Sequence, residues 1–296
     1  MEDYIVRATA KEGTIRALAA ITTNMVKEAQ KVHGLSPLAT VALGRTMTAA
    51  AMMSTTLKEE NAVITLQIKG DGPIGGIVVV VDSSANVKGY VHNPLVYLPL
   101  NSQGKYDVAG AVGNGYLNVI KDLGLREPYV GHVDLVSGEI AEDITYYYAY
   151  SEQVPTATAL GVLTNATEIV VSAGGFILQL MPGADDDTIS FIENKISSIP
   201  PVSTLLAQNK SPEDILEMLL SEKDMKIIGK SPCRYLCNCS RERMERNIMT
   251  LGKEEIMGMI NENHGAEAHC HFCNKKYWFS EEDLLRLVKI IESQKS

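Results

Sequence analysis

The sequence predicts an α+β protein in three parts: an N-terminal sheet-and-helix domain at residues 1–183, a helical linker at 184–230 and a small C-terminal module at 231–296. Three observations predict this fold class. Apolar residues change from helical to strand spacing within the first hundred residues, a more polar helical stretch follows, and four of the five cysteines lie near the end of the chain. A chain of 296 residues is long enough for more than one core.

Two helices are predicted close to the N-terminus. The first follows from apolar positions that recur in steps of three and four residues, namely Ile15, Leu18, Thr22, Met25, Ala29 and Val32. This helix is expected to end at Gly34. Ser36 followed by Pro37 marks the start of a second helix, because serine is a favoured N-cap and proline is favoured in the first turn.

Strand patterns come next. The segments that alternate or are rich in β-branched residues are AVITLQIKG, GGIVVVVD, NVKGYVH and PYVGHVDLV. Helical spacing returns from Ile140 to Tyr148. The stretch ATEIVVSAGGFILQLMPG predicts two strands joined at Gly174 and Gly175, as in a hairpin.

The linker at 184–230 is predicted to be helical. Ser211, Pro212 and Asp214 supply an N-cap, a first-turn proline and a capping box for one of its helices. Pro200 and Pro201 interrupt the helical pattern, so we expect the linker to have modest intrinsic stability.

The cysteines of the module form two close pairs, Cys237 with Cys239 and Cys270 with Cys273. Side chains two residues apart in an extended segment point to the same side, and C-x-x-C is a common spacing for structural zinc. Four soft sulfur ligands complete a tetrahedron and leave no open position for a catalytic water. The spacing therefore predicts one Zn²⁺ per chain bound by these four residues. Cys233 could compete for a ligand position, and a mixed site that uses His264, His269 or His271 stays open.

Loss of zinc is expected to unfold the module. Residues 231–296 are few enough that stability without a metal is marginal, whereas structural zinc contributes about 10–16 kcal/mol in small peptides. Oxidation of the thiolates would remove the ligands. The residues alone thus predict a zinc module that oxidation can unfold, although many zinc modules with the same ligands do not act as switches.

Composition and charge exclude several classes of function. The net charge of −9 disfavours wholesale nucleic-acid binding, and the module itself has ten basic and ten acidic residues. Neither a secretory signal nor a membrane span is evident, so we expect a cytoplasmic protein with reduced thiols and no membrane partner. The glycine clusters at 70–76 and 113–115 fit turns and do not match nucleotide-binding motifs. His33, His92 and His132 are isolated and are expected to be structural, so no enzyme chemistry is predicted.

The chain resembles the redox-regulated 33-kilodalton heat-shock chaperone (chaperonin) family of bacteria. The resemblance rests on the four cysteines together with four other segments along the chain: RATAKEGTIRALA, GDGPIGG, AEDITYYYAYSEQVPT at 141–156 and AGGFILQLMPGA at 173–184. The length and the order of the domains also fit, so the resemblance covers essentially the whole chain.

The resemblance implies an ATP-independent holdase that is inactive or weakly active while reduced and zinc-bound. It implies that oxidation forms the disulfides Cys237–Cys239 and Cys270–Cys273, that zinc leaves, and that the module unfolds and the linker loosens. Unfolding client proteins are then bound, and the active form is implied to be a homodimer. Cys233 departs from the family pattern.

Two alternatives belong to other classes. A zinc-ribbon regulator of nucleic acid would show a basic stripe on the module, which its balanced charge disfavours. A thiol–disulfide oxidoreductase would use Cys270 and Cys273, but no thioredoxin-like βαβ pattern lies beside them.

Overall fold

The structure is a computed structural model that describes residues 2–294. The chain divides into two compact units, Met1–Leu236 and Cys237–Ser296. The helices are α1 Thr23–His33, α2 Pro37–Ser54, α3 Val108–Val112, α4 Ala141–Tyr150, α5 Asp186–Ser198, α6 Val202–Ala207, α7 Pro212–Leu220, α8 Arg241–Met249, α9 Lys253–Asn263 and α10 Glu281–Gln294. Within the described residues, none of these helices has the length and apolar character needed to span a membrane.

The strands form three sheets. They are β1 Tyr4–Ala10, β2 Ile15–Ile21, β3 Val63–Gly70, β4 Ile77–Asp82, β5 Asn86–Val91, β6 Gly115–Asp122, β7 Tyr129–Asp134, β8 Thr156–Thr164, β9 Val170–Leu180, β10 Lys226–Pro232, β11 Arg234–Tyr235, β12 Gly265–His269 and β13 Lys276–Ser280. The first unit contains a five-stranded sheet in the order β10-β1-β2-β9-β8 and a six-stranded sheet in the order β11-β5-β4-β3-β6-β7. The second unit contains the hairpin β12-β13. This mixture of helices and largely antiparallel sheets is the predicted α+β class.

Helix α2 is the central helix of the first unit, and it begins where the sequence predicts. The Ser36 hydroxyl accepts a hydrogen bond from the Ala39 N–H at 3.3 Å, and Pro37 occupies the first turn. Every residue of α2 except Arg45 is buried. A helix that is covered on all sides belongs to a core, and α2 packs there with side chains of the six-stranded sheet.

The predicted helix from Ile15 is wrong over its first half. Ile15–Ile21 is the strand β2, and helix α1 begins only at Thr23. Six of the seven residues of β2 are buried, because β2 is an inner strand covered on both faces. Such strands are apolar almost throughout and so also satisfy a helical spacing rule. The helix ends at Gly34, as predicted, in a left-handed conformation with φ 58°.

The predicted hairpin at Gly174 and Gly175 is also wrong, because β9 runs unbroken through both glycines. A Cβ on Gly174 would lie 2.3 Å from the carbonyl oxygen of Ala20, so the glycine serves close strand packing and not a turn. The partner of β9 in the hairpin is β8, which the sequence analysis did not predict; β1 and β6 were missed as well.

The linker contains the predicted helices, but its last part is a strand. Helices α5, α6 and α7 occupy it, Pro200 and Pro201 separate α5 from α6, and Ser211 and Asp214 form the predicted capping box. Lys226–Pro232, predicted as helical up to residue 230, instead pairs with β1 as β10. The backbone groups of the edge of β1 are satisfied in this way. The linker therefore lies inside the first compact unit, whereas its functional boundaries at 184 and 230 stay predictions.

Helix α7 packs its apolar face on the five-stranded sheet. The buried residues on this face are Ile215, Leu216, Leu219 and Leu220. They share a cluster with side chains of β1, β2 and β9, including Val6, Ala17 and Phe176. Burial of this face, more than intrinsic helix propensity, accounts for the order of so short a helix.

Glu213 ties α7 to two strands. The Tyr4 hydroxyl of β1 donates to Glu213 Oε2 at 2.7 Å, and the Lys230 ammonium of β10 forms an ion pair with the same carboxylate. Burial by itself raises the pKa of Glu213, but the hydrogen bonds from Lys230 and Tyr4 outweigh it and hold the pKa below its usual value.

We expect Glu213→Gln to lower the free energy of local opening of α7 by about 1 kcal/mol at neutral pH, because the pair is partly exposed to solvent. A carboxylate with a lowered folded-state pKa stabilises fully above its unfolded pKa of about 4.3 and loses this contribution as pH falls through the folded value. The difference between variant and wild type should therefore shrink in acid. Amide hydrogen exchange of α7 at neutral and at acidic pH measures this difference. Glu217→Gln, at an exposed residue of the same helix, is the control. An equal effect of both variants would contradict the role of Glu213.

Candidate metal centre

The second unit has a small core. Helices α8, α9 and α10 and the hairpin β12-β13 enclose a cluster of eight buried residues, Ile248, Ile256, Ile260, Phe279, Leu284, Leu287, Val288 and Ile291. A domain of about 60 residues buries a smaller fraction of its surface than a larger one and is only marginally stable from its core alone. An additional cross-link is therefore expected in this unit.

Cys270 and Cys273 lie in the tight connection between β12 and β13. The N–H groups of Cys273 and Asn274 both donate to the Cys270 carbonyl, at 3.3 and 2.9 Å. The Cys270 N–H donates to the Lys275 carbonyl at 2.9 Å, and Asn274 has a left-handed φ of 57°. These bonds fold the loop tightly around Cys270 and bring both sulfurs of the C-x-x-C pair to one site.

Cys237 and Cys239 come from the segment that precedes α8. This segment has neither helix nor strand hydrogen bonds, and it ends at Ser240, whose hydroxyl accepts from the Arg243 N–H as the N-cap of α8. Cys237 and Cys239 stand two residues apart in it, and both sulfurs reach the site formed by the hairpin loop.

The four sulfurs form one cluster, in which all of them lie within 4.8 Å of one another. The Cys237 and Cys270 sulfurs are 3.7 Å apart, and the Cys239 and Cys273 sulfurs are 3.3 Å apart. Tetrahedral coordination with Zn–S bonds of about 2.3 Å places neighbouring sulfurs about 3.8 Å apart. The cysteines are free thiols, so all four can act as thiolate ligands. Spacing and donor chemistry both fit a four-sulfur zinc site.

Electrostatics distinguish Cys239 from its neighbours. Burial raises the pKa of the Cys237 and Cys273 thiols. Burial acts in the same direction at Cys239, but hydrogen bonds from the Tyr277 hydroxyl, at 3.2 Å, and from the Cys273 thiol outweigh it and lower the pKa of Cys239 to about 7. The hydrogen bond to Cys239 in turn raises the pKa of Tyr277 to about 12. The site thus favours a thiolate, the metal-binding form of cysteine, at Cys239.

Arg241, the first residue of α8, makes three contacts that stabilise the position of the neighbouring Cys239. Its guanidinium donates to the Trp278 carbonyl at 2.9 Å and to Asp283 Oδ2 at 2.8 Å. The guanidinium carbon also lies 4.4 Å from the centre of the Phe279 ring, a cation–π distance. The segment that carries Cys239 is therefore fixed to β13 and to the start of α10.

The geometry bears on the two alternatives that the spacing left open. Among residues 2–294, the group that can hold a metal consists of the four predicted cysteines and includes neither Cys233 nor His264, His269 or His271. Cys233 belongs to the first unit, where it is buried with its sulfur 3.8 Å from the Ile21 carbonyl oxygen. Burial, and secondarily the charge of Asp3, raises the pKa of this thiol to about 12.

The fold and the site define a protein with a large α+β unit followed by a small unit that contains a four-thiol cluster able to hold a metal ion. Residues 3–280 match the model of the Hsp33 protein family. The 33 kDa chaperonin of Ruminiclostridium cellulolyticum is 58% identical over 98% of this chain and 99% of its own length. The 33 kDa chaperonin of Bacillus subtilis is 51% identical over 95% of this chain and 97% of its own length.

Solved structures agree with the sequence comparison. The crystal structure of the 33 kDa chaperonin (heat shock protein 33 homolog) from Thermotoga maritima superimposes with a TM-score of 0.91 at 40% identity and covers 99% of this chain and 100% of its own. The chain belongs to the Hsp33 family.

Membership of this family makes the protein a chaperone of the holdase type and not an enzyme. It confirms the resemblance found in the sequence, and it excludes the thiol–disulfide oxidoreductase as the main activity. The cluster of Cys237, Cys239, Cys270 and Cys273 is consistent with the zinc site and the redox switch of the family.

The sequence analysis did not find Tyr277 and Arg241 as members of the site. We expect Tyr277→Phe to weaken zinc affinity about tenfold, because partners of metal ligands typically contribute 10–100-fold to affinity. Competition of the reduced protein with a chromophoric zinc chelator measures this change. Tyr97→Phe, at an exposed tyrosine in the first unit, is the matched control. Equal affinity of the Tyr277 variant and the wild type would show that its hydroxyl does not support the ligand.

Proposed function

We propose that the protein is a redox-regulated, ATP-independent holdase whose sensor is the four-cysteine cluster. The sensor module is 231–296, the responding linker is 184–230, and 1–183 is the chaperone domain. In the reduced state Cys237, Cys239, Cys270 and Cys273 hold one Zn²⁺. The bound ion supplies a cross-link between the segment before α8 and the β12-β13 loop, which the core of eight residues does not replace. The mutual approach of the four sulfurs is the observation that carries the proposal.

Oxidation removes the ligands. For each disulfide the two cysteine thiolates together lose two electrons as a sulfur–sulfur bond forms, while the oxygen–oxygen bond of one hydrogen peroxide breaks and the peroxide takes up two protons to give two molecules of water. We propose the pairs Cys237–Cys239 and Cys270–Cys273, and the family resemblance supports them. The distances alone allow other pairings, because the four sulfurs are all within 4.8 Å of one another.

Loop size separates the possible pairings by their consequences. Disulfides between the pairs, such as Cys237–Cys270, would join residues 33 positions apart and keep the unit cross-linked. Disulfides within the pairs close very short loops and leave the two segments free to separate. Only the second arrangement converts oxidation into unfolding, which favours the proposed pairs.

The remaining steps follow from the weakly stabilised linker. Loss of the folded module is proposed to loosen α5–α7, which are short helices held by one apolar face. Apolar surface of the linker and of the five-stranded sheet then binds unfolding client proteins. The active form is proposed to be a homodimer that acts in the cytoplasm and binds neither nucleic acid nor membrane.

The test is oxidation of the full chain with peroxide at mildly raised temperature. We expect release of one zinc per chain, loss of far-UV ellipticity and suppression of client aggregation to proceed together, and a thiol reductant with added zinc to reverse them. Disulfide mapping by mass spectrometry identifies the pairs. Zinc release without gain of holdase activity would contradict the switch, and cross-paired disulfides in an active sample would contradict the proposed pairing.

A further inference from the structure

Strand β8 is an edge of the five-stranded sheet, and part of its backbone faces away from the sheet. The Leu180 N–H donates to the Pro155 carbonyl at 2.9 Å, so Pro155 and Leu180 are a hydrogen-bonded pair of the antiparallel ladder between β8 and β9. Because such pairs alternate along the strands, the N–H and C=O groups of Leu160 and Val162 point to the free edge. Within the described residues no hydrogen bond to these groups is found.

A cavity of about 910 Å³ runs along this edge. It is lined by eight consecutive residues of the chain, 159–166, of which 159–164 belong to β8, so it follows the edge of β8 and not one of its faces. Arg45 of α2 lies on one side and Ser203 of α6 on the other. A Cβ on Gly161 would meet the Ser203 side chain at 2.9 Å, which shows how closely the linker helix approaches β8.

The edge carries neither of the sequence features that most directly prevent strand addition, a charge or a proline. Natural edge strands carry charges or prolines that prevent pairing with another chain. The opposite edge of the same sheet, β10, contains Lys226, Lys230 and Pro232. Strand β8 has the sequence TATALGVLT, without a charge or a proline. Its recessed position in the cavity limits access to it from folded proteins.

We propose that the free edge of β8 binds an extended, uncharged segment of an unfolding client by adding it to the sheet as a sixth strand. An edge with unpaired main-chain donors and acceptors at strand spacing is complementary to an extended polypeptide, whatever its sequence. The six residues of β8 that line the cavity, 159–164, span about 20 Å, enough for about six client residues. Helix α6 is one wall of the cavity, so loosening of the linker widens it. This inference rests on the proposed function, for which it supplies the client-binding site.

The first experiment tests whether main-chain pairing carries the binding. The probe is an acetylated, fluorescently labelled heptapeptide of alternating threonine and valine with a lysine at each end, and its anisotropy is measured with the oxidised full chain. The same peptide, N-methylated at three successive central amides, keeps its side chains and loses donors on both of its edges. We expect binding of the methylated peptide to be at least about tenfold weaker. Equal binding of both peptides would overturn the proposal.

The second experiment blocks the edge in the protein. Leu163 lines the cavity and is 37% exposed, so Leu163→Lys places a charge there without altering the ladder to β9. Val171 on β9 is 42% exposed and lies outside the cavity, and Val171→Lys is the matched control. We expect at least about tenfold weaker peptide binding and reduced holdase activity for Leu163→Lys only. Zinc content and far-UV spectra of the reduced variants must equal those of the wild type.

The outcomes separate this proposal from the proposed function. If oxidised wild type suppresses aggregation and Leu163→Lys does so equally, the β8 site is wrong while the redox-regulated holdase stands. If oxidised wild type is itself inactive, the proposed function fails. The edge could instead pair with a second copy of the chain, and sedimentation of the wild type and of Leu163→Lys tests this. Loss of the dimer in Leu163→Lys with unchanged peptide binding would show that a second copy occupies the edge, which also overturns the proposal.

Discussion

Replacement of Cys239 by serine is expected to abolish tight zinc binding and to unfold the second unit while the first unit stays folded. Of the four predicted zinc ligands, Cys239 is the one whose thiolate the site favours, through the Tyr277 hydroxyl and the Cys273 thiol. Structural zinc contributes about 10–16 kcal/mol in small peptides, which exceeds the whole stability of most domains. The core of eight residues cannot compensate for such a loss. We therefore expect the reduced variant to suppress client aggregation without oxidant.

Zinc content by atomic absorption and hydrogen exchange of α8–α10 measure the two parts of this prediction. Cys233→Ala is the control, because Cys233 is buried in the first unit and does not belong to the four-sulfur cluster. It should retain one zinc per chain and stay inactive while reduced. A Cys239→Ser protein that holds zinc tightly, or a demetallated tail that still melts cooperatively, would falsify the metal-dependent switch.

Leu216→Ala is expected to activate the chaperone with zinc still bound. Leu216 is fully buried between α7 and the five-stranded sheet, and truncation of a buried leucine to alanine costs about 2–5 kcal/mol. Because α7 is short, this loss of free energy mainly weakens the packing of α7 against the five-stranded sheet. Within the described residues, the apolar cluster that contains Leu216 consists of residues of the first unit, so we expect the four-thiol cluster of the second unit to be unaffected.

Light scattering of a model client, together with zinc content and hydrogen exchange of α7, checks this prediction. Met218→Ala is the matched control, because Met218 lies on the same helix and is 41% exposed. We expect the Leu216 variant alone to be active under reducing conditions. If α7 becomes loose and the reduced protein remains inactive, release of the linker does not expose the client-binding surface.

The sequence predicts those elements whose local pattern agrees with their environment. Helix α2 has a serine N-cap and a first-turn proline, and strands β3 and β4 alternate or are β-branched, so propensity and burial point the same way. The cluster of four thiols was predictable for another reason. Four thiols at C-x-C and C-x-x-C spacing need little knowledge of the fold, because each pair is placed by its own local backbone.

Long-range pairing decides the elements that were missed. Ile15–Ile21 is a strand because β1 and β9 flank it, and nothing within the segment distinguishes this from a buried helix. Strand β8 consists largely of threonine, alanine and glycine, which have weak or conflicting propensities. Tyr277 meets Cys239 because the register of β13 against β12 places it there, pairing it with Ala268. Such registers depend on the whole sheet and cannot be deduced from a single stretch.

Because Cys233 is buried, its reactivity towards alkylating reagents reports whether the first unit is folded. Its sulfur is shielded beside β2, and its backbone N–H is bonded to Asp3 just before β1. An alkylating reagent applied to the metal-free protein should therefore modify four thiols as long as this corner of the sheet is closed. A fifth adduct, at Cys233, would appear only when β10 and its neighbours separate. Mass spectrometry of the alkylated protein can thus show whether unfolding of the second unit has extended to the first unit.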